Sequence, residues 1–140
     1  MYEELYAPIS DLDAYLHRIG MKREDITHDE AGLNALVRAH VGHIPFDDMD
    51  VWGAGACPDL STEALFHKII VRKRGGYCFE LNSLFRTLLR DLGFRVYCVM
   101  IHGVRDRDYL GPALHCAVIC ELDGVKYFTD WSKKAWRTAK

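Results

Sequence analysis

Apolar positions recur at helical spacing through the first two thirds of the chain, and the period changes after Gly93. Leu12, Tyr15, Leu16 and Ile19 share one helical face, with Ser10 placed to cap the helix and Gly20 just past its end. Thr27 followed by Glu30 reads as a capping box before Leu33, Leu36, Val37 and His40. His43 to Asp48 reads as a non-helical connection, because Pro45 disfavours helix at the residue before it. Residues 53–58 read as a loop, and Ser61 or Thr62 opens a third helix with Leu65, Phe66, Ile69 and Ile70 on its apolar face. A fourth helix after Gly75-Gly76 carries Leu81, Leu84, Phe85, Leu88 and Leu89 and stops at Gly93.

Residues 94–104 and 113–122 are rich in β-branched and aromatic side chains and read as strands, separated by a polar loop over 102–112. Asp123-Gly124 is a two-residue hairpin signal joining the second strand to residues 125–130. The pattern is α+β. Residues 1–93 form a helical lobe, and residues 94–140 begin a β lobe.

Composition adds exclusions. The chain has 140 residues, 49% hydrophobic and 27% charged, enough for one domain with a core or for two small lobes sharing one. A net charge of −2 gives no electrostatic case for nucleic acid. No apolar run reaches membrane-spanning length and the N-terminus lacks a signal-peptide pattern, so the chain reads as cytoplasmic with no membrane partner. Five cysteines without a Cys-x-x-Cys pair argue against a disulfide framework and against a metal site. Cys98, Cys116 and Cys120 read as small buried apolar side chains. His40, on an apolar face, reads as a hydrogen-bonded core histidine, whereas His17, His28 and His67 read as solvated.

Cys78 stands apart. A glycine turn delivers it to the start of a helix, where unpaired N–H groups and the helix dipole favour a thiolate, the nucleophilic form of cysteine. A packed small residue is the alternative reading. If Asp123 and Gly124 form the turn, Glu121 opposes Lys126, Ile119 opposes Phe128 and Ala117 opposes Asp130. His115 then shares a face with Asp130 as its diagonal neighbour, about 7–8 Å away at the backbone, within side-chain reach. A one-residue slip would put them on opposite faces. In such a constellation Asp130 accepts the imidazole Nδ1–H and His115 takes the thiol proton. Pairing of this kind can lower a cysteine pKa from about 8.5 to roughly 3.5–7.5. Arg74 and Glu80 flank the nucleophile and either support it, pair with each other or make a structural salt bridge. Phe46 and Trp52 either line a pocket or pack in the core.

The run Arg74-Gly75-Gly76-Tyr77-Cys78-Phe79-Glu80-Leu81-Asn82 resembles the nucleophile motif of the arylamine N-acetyltransferases. Ile44-Pro45-Phe46-Asp47-Asp48-Met49-Asp50 resembles the family's Pro-Phe-Glu-Asn segment, with Asp47 for Glu and Asp48 for Asn. His115 and Asp130 match the motif histidine and aspartate. The resemblance implies a helical bundle, a β-barrel and an α/β lid, with a core like that of papain-type thiol enzymes. It also implies a ping-pong reaction. Acetyl-CoA, a substrate and not a resident cofactor, acylates Cys78, and an arylamine, hydrazine or arylhydroxylamine takes the acetyl group. Cys78, His115 and Asp130 would be catalytic, Arg74, Gly76 and Glu80 supporting, and Phe46 and Tyr77 pocket residues.

The resemblance runs to about Asp130. Family members are about twice as long, and residues 131–140, with four cationic and no acidic side chains, do not resemble them. The expectation is a truncated member lacking the lid and part of the barrel, with an unpaired sheet edge available for self-association. Two other readings stay open at this point. One is a catalytically impaired remnant or interaction module, and the other is a related amide-forming acyltransferase with a different acyl donor.

Overall fold

The structure, a computed structural model, describes residues 2–103 and 111–130. In chain order the elements are α1 (Leu12–Arg18), α2 (Glu30–His43), α3 (Met49–Trp52), α4 (Thr62–Phe66), α5 (Cys78–Asp91), β1 (Arg95–His102), β2 (Ala113–Leu122) and β3 (Val125–Thr129). Two 3₁₀ turns, Glu3–Tyr6 and Arg23–Asp25, precede α1 and α2. The loop residues 104–110 and the basic tail 131–140 lie outside the described residues.

The helices form where the apolar spacing places them, but their caps differ. Asp11, not Ser10, caps α1, its carboxylate accepting from the Ala14 amide at 2.9 Å. Asp29, not Thr27, caps α2 through the Gly32 amide at 2.8 Å, and Thr27 donates its hydroxyl to that carboxylate at 2.7 Å. In each case the carboxylate sits three residues before the amide that needs an acceptor, and its charge also answers the helix dipole. Ser61 caps α4 as expected. Beyond Phe66 the helix widens into a π turn over His67–Val71, in which the Arg72 amide reaches back to the His67 carbonyl at 2.9 Å. The one-turn α3 was not foreseen. Its four residues are too few for an apolar period to show.

Among the described residues the three strands form one antiparallel sheet in the order β1-β2-β3 that does not close into a barrel. The β2–β3 register is the predicted one: Leu122 pairs with Val125, Glu121 with Lys126, Ile119 with Phe128 and Val118 with Thr129. Asp123 and Gly124 both have positive φ, 49° and 79°, as a tight two-residue hairpin turn needs.

Helices and sheet share one core. Leu81, Leu84, Phe85 and Leu88 of α5 pack with Tyr15, Leu33 and Leu36 of the other helices and with Phe94, Val118, Cys120 and Tyr127 of the β region. Asn82 ties α5 to β2 by donating to the Cys116 carbonyl at 2.8 Å. His40 is fully buried beside Tyr15, whose hydroxyl lies 2.6 Å from Nε2, so the core reading of that histidine holds. Cys116 and Cys120 are buried as expected, whereas Cys98 is exposed, because β1 is an edge strand among the described residues. His28 is exposed, as read, and it also stacks on Phe94 at 4.8 Å between centroids and bonds the Leu92 carbonyl at the end of α5.

Candidate functional site

A strap and a turn set Cys78 in place. After the π turn, Lys73 adopts a left-handed conformation (φ 54°) and the chain reverses into Arg74-Gly75-Gly76. Residues 45–47 lie along this turn, with the Asp47 amide donating to the Gly76 carbonyl at 2.9 Å. The approach is too close for side chains. A Cβ on Gly75 would stand 2.1 Å from the Pro45 carbonyl oxygen, and one on Gly76 would stand 2.9 Å from the Glu80 Cβ. Cys78 is the first residue of α5, and Glu80 closes the helix start by accepting from the Tyr77 amide at 3.0 Å.

A chain of charges locks the strap to the turn. Arg74 donates Nε and Nη2 to Asp47 at 3.0 and 2.8 Å, and Nη2 also reaches Asp50 at 3.1 Å. Lys68 lies 2.7 Å from both Asp50 and the buried Glu80. Arg74 and Glu80 therefore do not pair with each other; Asp50 and Lys68 stand between them. Sequence reasoning missed both. Lys68 sits in an ordinary polar helical position, and only the π turn aims it at Glu80. Against the cost of burial, the Met49 amide and Arg74 hold the Asp47 carboxyl below the usual carboxylate range. Against the same cost, Asp50 and Glu80 hold the Lys68 ammonium above its ordinary value.

On the sheet side, His115 Nε2 lies 2.9 Å from Asp130 Oδ2, with side chains 23% and 8% exposed. The diagonal contact expected from the hairpin register is present. It is made through Nε2, however, where the sequence reading had assigned Nδ1. The residue after His115 reaches the helix start. Cys116 Sγ lies 3.8 Å from the Cys78 carbonyl oxygen. Cys78 is 9% exposed, and this burial lifts its thiol above the ordinary value. The amides of Cys116 and Phe79 oppose the rise, and the Asp130 carboxylate adds to it. The depressed thiol expected from the sequence is thus reversed, because desolvation of the thiolate outweighs the donors that favour it.

Phe46 and Trp52 are 52% and 84% exposed, so neither packs in the core. Tyr77 is half-buried, its ring 5.6 Å from that of Phe79. Among the described residues no group of three or more His, Cys, Asp or Glu side chains could hold a metal ion, and no helix is long and apolar enough to cross a membrane.

Comparison with known proteins gives this geometry a family. The N-acetyltransferase family model matches residues 30–132. An arylamine N-acetyltransferase of Mycolicibacterium smegmatis is 45% identical over 86 residues, covering 61% of this chain and 31% of that protein. The human arylamine N-acetyltransferase 1 is 28% identical over 122 residues, covering 86% of this chain and 42% of that one. Among solved structures, the arylamine N-acetyltransferase from Salmonella typhimurium superposes with a TM-score of 0.78 at 31% identity, over 90% of this chain and 46% of its own. That of M. smegmatis gives 0.76 at 36% identity, over 87% and 46%. The chain thus spans less than half the length of these relatives, and over that span the motif residues, the helix-to-sheet arrangement and the family match agree: it belongs to the arylamine N-acetyltransferase family.

Proposed function

We propose that this chain transfers an acetyl group from acetyl-CoA to an arylamine or hydrazine through a thioester on Cys78. His115 is the base and Asp130 the orienting residue. The observation that carries this reading is the His115–Asp130 contact at 2.9 Å, one residue from Cys116, whose sulfur lies 3.8 Å from the Cys78 carbonyl oxygen.

With Nε2 held by Asp130, Nδ1 is the ring nitrogen that takes the Cys78 proton. Burial disfavours a standing thiolate, so proton transfer accompanies attack. The sulfur bonds the acetyl carbonyl carbon, and the CoA thiolate leaves with the proton from the imidazolium. The acceptor nitrogen then attacks the thioester, His115 takes its proton, and the Cys78 sulfur is released. Arg74, Asp47, Asp50, Lys68 and Glu80 act on this step by fixing the turn that aims Cys78. Phe46 and Tyr77 border the turn and are assigned to the acceptor pocket.

This reading carries with it a core arranged like that of papain-type thiol enzymes, a helical unit over 1–93 that brings the nucleophile to a β unit over 94–140, and a cytoplasmic setting in which five free thiols persist. The outer edges of β1 and β3 are the surfaces on which copies would associate.

Mixing the purified chain with p-nitrophenyl acetate tests the proposal. A stoichiometric burst of nitrophenol, an acetyl increment on the peptide holding Cys78, and discharge of that acetyl by an added arylamine are expected. Cys78→Ser should abolish the burst and His115→Ala should reduce it at least a hundredfold. No burst and no acetyl on Cys78 would rule the mechanism out for this chain, leaving a binding or interaction role.

A further inference from the structure

A second sulfur pair lies beside the nucleophile and plays no part in the acyl transfer. Cys98 pairs across the sheet with Val118, and Cys116 with Met100, so the two cysteines occupy one face of β1 and β2 as diagonal neighbours. Both also share that face with Val118, which lies between them on β2 and across from Cys98. One partner is exposed and the other buried.

Cys98 also opens into a cleft of about 320 Å³ whose wall includes Tyr6, Ser83, Arg86 and Arg90. Arg86 is only 8% exposed, and its Nε finds no hydrogen-bond partner among the described residues. Nη2 donates to the Leu5 carbonyl at 2.7 Å and to Thr87 at 3.1 Å, and the guanidinium lies over the Tyr6 ring at 4.4 Å. A thiol that is exposed and shares a cleft with a buried guanidinium is in the setting that makes cysteine reactive. The neighbouring Cys116 thiol, together with the Arg86 charge, draws the Cys98 thiol down to about 7, and Cys98 in turn pushes Cys116 up.

We infer that Cys98 and Cys116 form a reversible redox pair that responds to hydroperoxides, with Cys98 as the attacking thiol and Cys116 as the resolving one. The Cys98 thiolate attacks a peroxide oxygen. The S–O bond forms, the O–O bond breaks, and the leaving hydroxide or alkoxide takes a proton from solvent. Sulfur is oxidised to the sulfenic acid and the peroxide is reduced to water or an alcohol. Cys116 sulfur then attacks the Cys98 sulfur. The S–S bond forms, and the sulfenic oxygen departs as water with the Cys116 proton.

Geometry makes the product labile. Diagonal neighbours stand about 7–8 Å apart at Cα, and relaxed disulfides span roughly 4.4–6.8 Å. Closing the bridge therefore draws β1 toward β2. β1 can yield because it is paired on one side among the described residues and its register already shifts between Ile101 and His102. A bridge closed under strain is readily reduced, which fits a switch better than a staple.

The test treats the 140-residue chain with stoichiometric hydrogen peroxide and maps its thiols by mass spectrometry without reduction. A Cys98–Cys116 cross-linked peptide that dithiothreitol removes is the expected result. In Cys116→Ser, dimedone should trap a sulfenic acid on Cys98. Arg86→Gln should slow Cys98 oxidation several-fold while leaving Cys57 oxidation unchanged. Cys98 remaining a thiol while Cys57 or Cys78 oxidises would overturn the inference, as would Cys98 bridging only to a cysteine other than Cys116. Because acetylation of Cys78 is read by a separate burst assay, failure of either proposal leaves the other standing.

Discussion

Burial decides the charge of His40. Desolvation, with a contribution from the Arg18 charge, lowers its pKa from 6.5 to about 3. The unfolded chain takes up a proton near 6.5 that the folded chain refuses until about 3. Stability from this residue is therefore complete above 6.5, and it is lost as pH falls from 6.5 toward about 3. The slope is at most about 1.4 kcal/mol per pH unit. Urea unfolding at about pH 7 and about pH 5 should show that loss in the wild type and a shallower one in His40→Gln, whose side chain can still accept from Tyr15. Equal slopes in the two proteins would mean that His40 takes its proton in the folded state. This residue was legible in the sequence because it lies on the apolar face of a strongly periodic helix. Cys98 was not. Strand composition says that a cysteine belongs in a sheet, and only the strand order puts it at an edge. His28 is exposed as read, but its partners were not legible, since Phe94 and the Leu92 carbonyl come from a helix end more than sixty residues away.

Between elements, the link that matters most is Lys68 on the π turn reaching Glu80 in the first turn of α5. Glu80 is 1% exposed, so removing its partner leaves a carboxylate in the core, at a cost of about 3–5 kcal/mol. Lys68→Met should lower the unfolding free energy by an amount near the bottom of that range, because Lys68 itself is partly exposed. Adding Glu80→Gln should restore part of the loss, since Gln keeps an acceptor for the Tyr77 amide while removing the unpaired charge. A double-mutant cycle in denaturant would measure the coupling, and simple additivity would show that Glu80 draws its compensation from elsewhere. Helix periodicity located both elements, but it could not show this pair. The two side chains meet because the chain widens by one residue per turn at His67–Val71 and then reverses at Lys73, and neither event has a mark in the apolar pattern. The β2–β3 hairpin was legible to the individual pair, because Asp123-Gly124 admits one turn geometry and the Glu121–Lys126 charges agree with it. The caps of α1 and α2 were missed by one and two positions because two competent acceptors stand close together before each start, whereas Ser61 caps α4 as read. The family segments were legible as motifs, whereas the Asp50 and Lys68 links behind them were not.

At the scale of the whole molecule, the helices and the sheet depend on one another. Phe94, Val118, Cys120 and Tyr127 complete a core whose other wall is α5, and Asn82, fully buried, holds that wall to β2 through the Cys116 carbonyl. Without α5 the sheet would expose Val118, Cys120 and Tyr127, and without the sheet α5 would expose part of its own apolar face. The two regions should therefore unfold in one transition. Helix loss followed by circular dichroism near 222 nm and loss of the sheet-side packing around Tyr127 followed in the near-ultraviolet should coincide in temperature and in denaturant. Asn82→Ala removes a buried bond and orphans the Cys116 carbonyl, a cost of about 1–3 kcal/mol that should lower both curves together. Should the sheet signal melt first and leave the helical signal intact, the β region would be a loosely docked unit. The proposed nucleophile Cys78 would then meet the His115–Asp130 pair only part of the time, and the proposed acetylation burst would weaken along the sheet's melting curve instead of the helices'.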